Sequence, residues 1–228
     1  MSREWLEVTS LKEATAVQRL IAARVETANR IGPSPRVAGA DVSMKWRDTR
    51  GPVHAAIAPV DGAAGTLTAI PAFPYVPGYL GFREAPVLAA AWDAMADKPG
   101  LILVDGQGRA HPRRAGVACQ LGVMLDVPTI GCAKSLLCGV VEGAIGPAAG
   151  DRAPVIDRGE LVAMALRTRP RAAPIYVSIG HRIALDTAID WVMRLSEGRR
   201  LPLPIRLAHD AANATRRAYE ATATHQIS

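Results

Sequence analysis

The sequence predicts a mixed α/β fold, and three observations support this prediction. Three strand-like runs follow one another with short, turn-rich connections, as in an antiparallel meander. Two later runs are short and wholly apolar, which is typical of buried parallel strands. A helical pattern precedes each of these two runs, so the predicted order is β-β-β-α-β-α-β, with helices on both faces of one sheet. The strand-like runs cover residues 36–43, 53–60, 66–72, 101–104 and 129–133.

The other elements are predicted from apolar spacing and turn signals. An N-terminal helix follows Ser10, an N-cap residue with Glu13 three positions later. Residues 136–160 are rich in Gly and Pro and are predicted to form a surface excursion from a single domain spanning residues 1–228. Residues 160–168 fit either a strand or a helix. Further helices are predicted at residues 82–96, 116–125, 185–195 and 205–222, and a further strand at residues 175–179.

The composition favours a globular protein with a polyanionic partner. With 228 residues, 49% of them hydrophobic, the chain can bury a substantial core. A formal charge of +6 favours a partner such as nucleic acid. A general bias towards Ala and Arg is the alternative explanation for that charge. No apolar run approaches the roughly 18 residues of a membrane-spanning helix, so we expect no membrane association.

The cysteines predict a reducing environment. Cys119, Cys132 and Cys138 are odd in number and form no C-x-x-C pattern. This argues against a disulfide framework or a zinc site and fits a cytoplasmic protein. We expect the protein to act as a monomer.

Two aspartates stand in or at the end of apolar strands without a neighbouring cation in sequence. Asp41 lies late in the first strand, and Asp105 follows the run at residues 101–104. A carboxylate in such a place is costly unless it is paired, hydrogen-bonded or metal-bound. Two of them would repel by roughly 4 kcal/mol at 4 Å and an effective dielectric near 20. If their strands are neighbours, a divalent cation between them is the natural ligand, although Asp105 before Gly106 also fits a turn.

Four further residues are weaker candidates from the sequence alone. Glu84 lies in the first turn of a predicted helix, where the macrodipole favours a carboxylate without any functional role. Lys134 follows a strand and could neutralise a phosphate or steady a water molecule, or could be a solvated surface lysine. Tyr75 lies in a Pro- and Gly-rich loop, where it could stack on a base or pack under its own loop. Nothing local distinguishes His209.

A basic cluster follows Asp105 in the chain. His111, Arg113 and Arg114 are predicted to contact phosphates. The two arginines suit this role because a guanidinium group can donate two hydrogen bonds to one phosphate.

Several segments together resemble the endonuclease V family of nucleases that act on deaminated bases. They occur in order from about residue 10 to residue 210, which makes the set specific although each piece is short. The segments are VAGADVS at 37–43, PYVPGYLGFRE at 74–84, VDGQG at 104–108, HPRRAG at 111–116, VPTIGCAK at 127–134, GHR at 180–182 and RLP at 200–202.

The resemblance implies a ribonuclease-H-like fold and a site for Mg²⁺, with Mn²⁺ as a substitute. It implies that Asp41 and Asp105 bind the metal with Glu84 as a third acidic ligand. It also implies that Lys134 and His209 lie in the active site and that Tyr75 wedges into the duplex at the lesion. Gln107, Leu203 and Ile205 depart from residues common in the family, which weakens the case for His209 more than that for the aspartates.

The activity implied by the resemblance is DNA repair by a nick at the second phosphodiester bond 3′ to deoxyinosine. We expect backbone N–H groups near Gly78, Gly81, Gly106 and Gly108 to read the extruded base, since Gly permits close approach. Three alternatives remain: a nuclease of the same fold acting on inosine-containing RNA or branched DNA, a non-catalytic nucleic-acid-binding module, and a phosphoesterase acting on small molecules.

Overall fold

The computed structural model describes residues 8–45 and 48–225. Its strands are β1 Val37–Ser43, β2 Val53–Pro59, β3 Gly65–Ala69, β4 Leu101–Val104, β5 Thr129–Ala133, β6 Val140–Val141, β7 Arg152–Asp157, β8 Glu160–Leu166 and β9 Ile175–His181. Its helices are α1 Leu11–Arg24, α2 Gly81–Asp93, α3 Val117–Leu125, α4 Leu185–Ser196 and α5 Leu203–His225. None of the helices in these ranges has the length and apolarity to cross a membrane.

One mixed sheet contains all the strands described, in the order β3-β2-β1-β4-β5-β9-β8-β7-β6. The predicted meander is confirmed, because β1 pairs antiparallel with β2 and β2 with β3. The predicted parallel strands are also confirmed: β4 lies between β1 and β5 and runs parallel to both. Since parallel neighbours need crossover connections, α2 and α3 join these strands.

Residues 136–160 are not only a surface excursion, which corrects the prediction. They contain β6 and β7, and β7 pairs antiparallel with β8 over residues 152–157. In β7 the apolar Ala153 and Val155 are buried, while Pro154 between them is partly exposed. The segment at residues 160–168, for which strand and helix were both open, forms β8.

Helices cover both faces of the sheet, as predicted. The even-numbered Ala38 and Ala40 pack with α2 and α3 on one face. The odd-numbered Val37, Leu101 and Leu103 pack with α4 and α5 on the other face. This alternation follows from the two-residue period of a strand. Asp41 lies in β1, and Asp105 directly follows β4. Both have odd numbers, so the alternation of side chains along a strand directs them to the face that α5 covers.

Helix α5 begins in direct backbone contact with β1. A methyl group at Gly39 would overlap the carbonyl oxygen of Pro204, so only glycine permits this approach. Ile205, Ala208 and Ala212 then form the buried stripe of the helix at a helical spacing. His209 follows Ala208 and is thereby held above the end of β1.

Candidate functional site

The two aspartates are neighbours across a pair of parallel strands. Ala40 of β1 is in register with Val104 of β4, and the next residue on each strand is an aspartate. The Asp105 backbone N–H donates to the Ala40 carbonyl oxygen at 2.9 Å. The two carboxylates therefore meet at the carboxyl ends of their strands, the edge at which ligands gather in such sheets.

His209 completes a cluster with these aspartates. One potential ligand atom from each of Asp41, Asp105 and His209 lies within 4.8 Å of the other two. His209 Nδ1 lies 2.9 Å from Asp41 Oδ2. Its side chain is 55% exposed whereas that of Asp41 is 10% exposed, so the cluster opens to solvent on the His209 side.

Burial and repulsion between carboxylates together determine the electrostatics of this cluster. Burial and then the neighbouring Asp105 raise the pKa of Asp41 to about 6, while the hydrogen bond with His209 partly opposes the rise. The pKa of Glu84, from the first turn of α2, is raised well above its ordinary value by burial and then by Asp41 and Asp105. Glu84 lies beside the cluster and outside the group of three.

This donor set fits a hard divalent cation. Carboxylate oxygens are the ligands that Mg²⁺ and Mn²⁺ prefer, and imidazole extends the set to transition metals. Asp41 and Glu84 are buried acids, and repulsion from the partly buried Asp105 beside them helps to raise the pKa of both. A cation would reverse that repulsion. Lys134 forms an ion pair with Asp105 Oδ2, so it is not a free solvated lysine.

A chain of hydrogen bonds supports His209 from behind and was not predicted. Arg216 Nε donates to Ser43 Oγ at 2.9 Å, and the Ser43 hydroxyl donates to Asn213 Oδ1 at 2.8 Å. Asn213 Nδ2 lies 3.0 Å from His209 Nε2 and 3.0 Å from the His209 carbonyl oxygen. Asn213 and Arg216 lie one and two helical turns beyond His209, and this spacing was the available sequence signal.

A cavity of about 280 Å³ adjoins the acidic cluster. Asp105 and Glu84 line it on one side, and the loop that carries Tyr75 lines it on another. Gly78, Gly81, Gly106 and His111 contribute further to its wall. The Tyr75 side chain is 44% exposed, so it does not pack under its own loop. An acidic cluster, a cavity and an exposed aromatic ring are thus contiguous.

The endonuclease V family model matches residues 19–210. The chain belongs to the endonuclease V family. It is 48% identical over 222 residues to endonuclease V of Rhodospirillum centenum, covering 95% of this chain and 92% of that one. The crystal structure of endonuclease V from Streptomyces avermitilis has a TM-score of 0.86 and 38% identity, covering 97% and 98% of the two chains. Endonuclease V of Ciona intestinalis, solved in complex with a 24mer DNA containing an inosine followed by a ribo-adenosine, has a TM-score of 0.75 at 24% identity and covers 93% and 98%, a likeness of fold.

The endonuclease V relatives confirm the ribonuclease-H-like fold implied by the resemblance. Members of this family are nucleases, so a cluster of acids at the carboxyl ends of β1 and β4 lies where a nuclease of this fold would need it. The strand order and the register of the two aspartates therefore agree with family membership.

The basic cluster of this endonuclease V chain is turned inward. His111 Nε2 and Arg113 Nη2 both donate to the Gly78 carbonyl oxygen, at 2.9 and 2.7 Å. Gln18 of α1 donates to the same oxygen at 2.9 Å and also accepts from Arg113 Nε. Arg113 stacks on the Tyr79 ring at 4.2 Å. Three side chains thus anchor the base of the Tyr75 loop.

Arg114 contacts the β7–β8 hairpin and not the Tyr75 loop. Its guanidinium donates to Asp157 Oδ2 at 2.7 Å and to Glu160 Oε2 at 2.6 Å, and its side chain is 15% exposed. These bonds join the segment after β4 to the β7–β8 hairpin. Arg113, Arg114 and the buried His111 all bond to partners within the protein. They are therefore poorly placed for the phosphate contacts expected of them.

The four glycines expected near the base have different surroundings. Gly81 and Gly106 line the cavity, where a methyl group would overlap the Gln120 carboxamide or the Val117 side chain, respectively. Gly78 also lines it and has φ of +77°, a conformation that glycine adopts without strain. Gly108 is buried against the Ile179 carbonyl oxygen of β9. Its requirement for glycine therefore comes from packing.

Proposed function

We propose that this protein is a DNA repair endonuclease that hydrolyses the second phosphodiester bond 3′ to deoxyinosine. The observation that carries the proposal is the acidic cluster of Asp41, Asp105 and His209 beside a cavity whose wall includes Asp105. Membership of the endonuclease V family supports the reaction class. The three free thiols suit a reducing cytoplasm, and we expect a monomer.

The cofactor we propose is Mg²⁺, with Mn²⁺ as a substitute, held by Asp41, Asp105 and Glu84. When bound, it would supply Lewis-acid stabilisation of charge on the scissile phosphate and the leaving 3′ oxygen. His209 supports this set by its hydrogen bond to Asp41. The Lys134 ammonium, paired with Asp105, adds positive charge at the position where a phosphate would approach.

The cavity is the proposed binding site for the extruded hypoxanthine base. A base must leave the duplex stack before its edge can be read, and an inosine pair is easier to open than a normal pair. Tyr75 is exposed at the rim, where its ring can fill the space that the base leaves. Backbone N–H groups of the segments around Gly78, Gly81 and Gly106 are the proposed donors to the base oxygen. The net charge of +6 favours the DNA backbone and predicts salt-sensitive binding.

A nicking assay on one end-labelled duplex with a single deoxyinosine tests the proposal. We expect a cut at the second phosphodiester bond on the 3′ side in the presence of Mg²⁺, and none with a chelator. Asp105→Asn should lower the rate at least about a hundredfold, the scale of losing an electrostatic stabiliser, with binding retained. Asp210→Asn is the matched control, because Asp210 is an exposed aspartate on α5 outside the cluster.

Three results would contradict the proposal. Full activity of both Asp41→Asn and Asp105→Asn would remove the metal site. Binding without any nicking by the native chain would indicate a non-catalytic module. Faster cleavage of a matched inosine-containing RNA would move the substrate class from DNA to RNA.

A further inference from the structure

Gln120 of α3 presents an acceptor that nothing in the protein uses. Its residue is 1% exposed and lines the cavity beside Asp105. Its Oε1 atom is buried, and no donor among the described residues lies within hydrogen-bonding distance of it. A buried carboxamide oxygen without a partner is destabilising, and such atoms are uncommon in folded proteins. Its position in the wall of a proposed ligand cavity suggests that the partner is a ligand.

The orientation of this carboxamide is fixed by the protein. Gln120 Nε2 donates to the Ala115 carbonyl oxygen at 3.1 Å. The reversed orientation would place two oxygens at that distance, so the nitrogen faces Ala115 and the oxygen does not. The carboxamide also lies against the Cα of Gly81, where any side chain would overlap it. The cavity therefore carries a positioned acceptor and not a freely rotating one.

Gln107 has a similar arrangement nearer the acidic cluster. Its Nε2 donates to the Ser135 carbonyl oxygen at 2.7 Å, and its buried Oε1 also lacks a partner among the described residues. Gln107 as a whole is only half-buried, whereas Gln120 is fully enclosed. The enclosed acceptor is the better candidate for reading a base, because water does not compete for it.

We propose that Gln120 is a specificity-determining residue whose Oε1 accepts the N1–H of the extruded hypoxanthine. This rests on the proposed function, since it requires a deaminated purine in the cavity. Deamination of adenine turns the N1 lone pair into an N–H group and the exocyclic amine into an oxygen. An acceptor at N1 would therefore bind hypoxanthine and repel the lone pair of adenine. A site that hydrogen-bonds one edge leaves its own buried group unpaired with the wrong base.

The test is a binding cycle on single-stranded oligonucleotides, which removes the cost of opening a base pair. The protein is kept in chelator, and affinity is measured by fluorescence anisotropy for oligonucleotides containing deoxyinosine, 7-deaza-deoxyinosine, deoxynebularine or deoxyadenosine. The first two bases carry N1–H and the 6-oxygen, and the other two carry neither. We expect the native chain to prefer both N1–H bases over deoxynebularine by at least about 10-fold, because that base lacks the 6-oxygen as well as N1–H, and the effect of changing Gln120 isolates the N1–H bond.

Gln120→Met keeps the length of the side chain and removes the acceptor. It should weaken binding of both N1–H bases by about 10-fold and leave deoxynebularine unchanged. Gln120→Asn, which withdraws the carboxamide by one methylene, should do the same if the Met variant is unstable. Met124→Leu, on the same helix and outside the residues that line the cavity, is the control and should match the native chain.

The outcomes separate this proposal from the proposed function. If the native chain does not prefer deoxyinosine to deoxyadenosine, the proposed function fails and this inference with it. If the native preference is present but Gln120→Met preserves it, only the Gln120 assignment is overturned. If Gln107→Leu, and not Gln120→Met, weakens binding of the N1–H bases, the Gln120 assignment is also overturned, and the half-buried Gln107 is the acceptor.

Discussion

Asn213 donates a hydrogen bond to Nε2 of His209 over 3.0 Å, which requires a lone pair on that nitrogen. The Asn213 orientation is set by the Ser43 hydroxyl on its oxygen and by the His209 carbonyl on its nitrogen. The His209 hydrogen therefore lies on Nδ1 and points at Asp41. In this arrangement His209 holds Asp41, a proposed metal ligand, in place, and the hydrogen bond from Asn213 selects the tautomer of His209 that does so.

Asn213→Ala should release His209 from this tautomer. We expect nicking to fall by about 10- to 100-fold, as is usual when a partner behind a metal ligand is lost. The ring ¹⁵N chemical shifts of His209 in the metal-free protein report the tautomer directly. They should change in the variant, whereas a role in stability alone would leave them unaltered.

Thr215→Ala provides the control for that experiment. Thr215 lies on the same helix, and its hydroxyl donates to the Ala211 carbonyl oxygen of α5. It should leave both the rate and the ¹⁵N shifts as they are in the native chain. Equal nicking by the Asn213 and Thr215 variants would show that the hydrogen bonds that support His209 have no part in the reaction.

His111→Gln should make the protein less sensitive to acid. Burial lowers the pKa of His111 to about 4, with Arg113 and Arg114 adding to the fall and the Gly78 carbonyl opposing it. Because the folded pKa lies below the unfolded value of 6.5, the unfolded chain binds more protons between these pH values. His111 therefore lowers the free energy of unfolding by about 2 kcal/mol at pH 5, and this loss disappears well above pH 6.5. Unfolding by urea at pH 7.5 and pH 5 should show a smaller loss in the variant; parallel losses would refute the assignment.

Tyr75→Ala should reduce discrimination between inosine and normal duplexes while the metal-dependent chemistry continues. We expect a loss of about 10-fold, the scale of one stacking contact. The melting temperature should not change, since the side chain is 44% exposed. Tyr219, at 42% exposure on α5, offers a matched control, and Tyr219→Ala should discriminate as the native chain does. Unaltered discrimination by the Tyr75 variant would argue against a wedge.

Arg114→Ala should affect stability and not DNA affinity. Removing the guanidinium leaves Asp157 and Glu160 without their shared partner, and we expect a loss of about 2 kcal/mol. The dependence of DNA binding on salt concentration should keep its slope, because no phosphate contact is lost. Arg217→Ala, at an exposed position of α5, should have no such effect on stability. A flatter salt dependence in the Arg114 variant would instead show that Arg114 contacts a phosphate.

The sequence placed Asp41 and Asp105 in or directly after apolar strands, but their approach depended on whether those strands are neighbours, which the residues left open and the pairing of β1 with β4 establishes. It was insufficient for Arg114, whose acidic partners lie 43 and 46 residues further along the chain. The β6–β7 segment was also missed, since Gly and Pro in its turns obscured a two-residue edge strand and the six-residue strand beside it. The free acceptor of Gln120 depends on a bond to Ala115 that no periodicity reveals.

The acidic cluster draws its members from β1, the residue after β4 and the last helix described, α5. During synthesis on a ribosome, β1 and β4 can supply both aspartates while α5 is still to be translated. Until Gly39 receives the backbone at Pro204, Asp41 lacks its hydrogen bond with His209. A nascent chain would therefore hold an incomplete acidic cluster, and any activity that needs all three residues could begin only after α5 has been made.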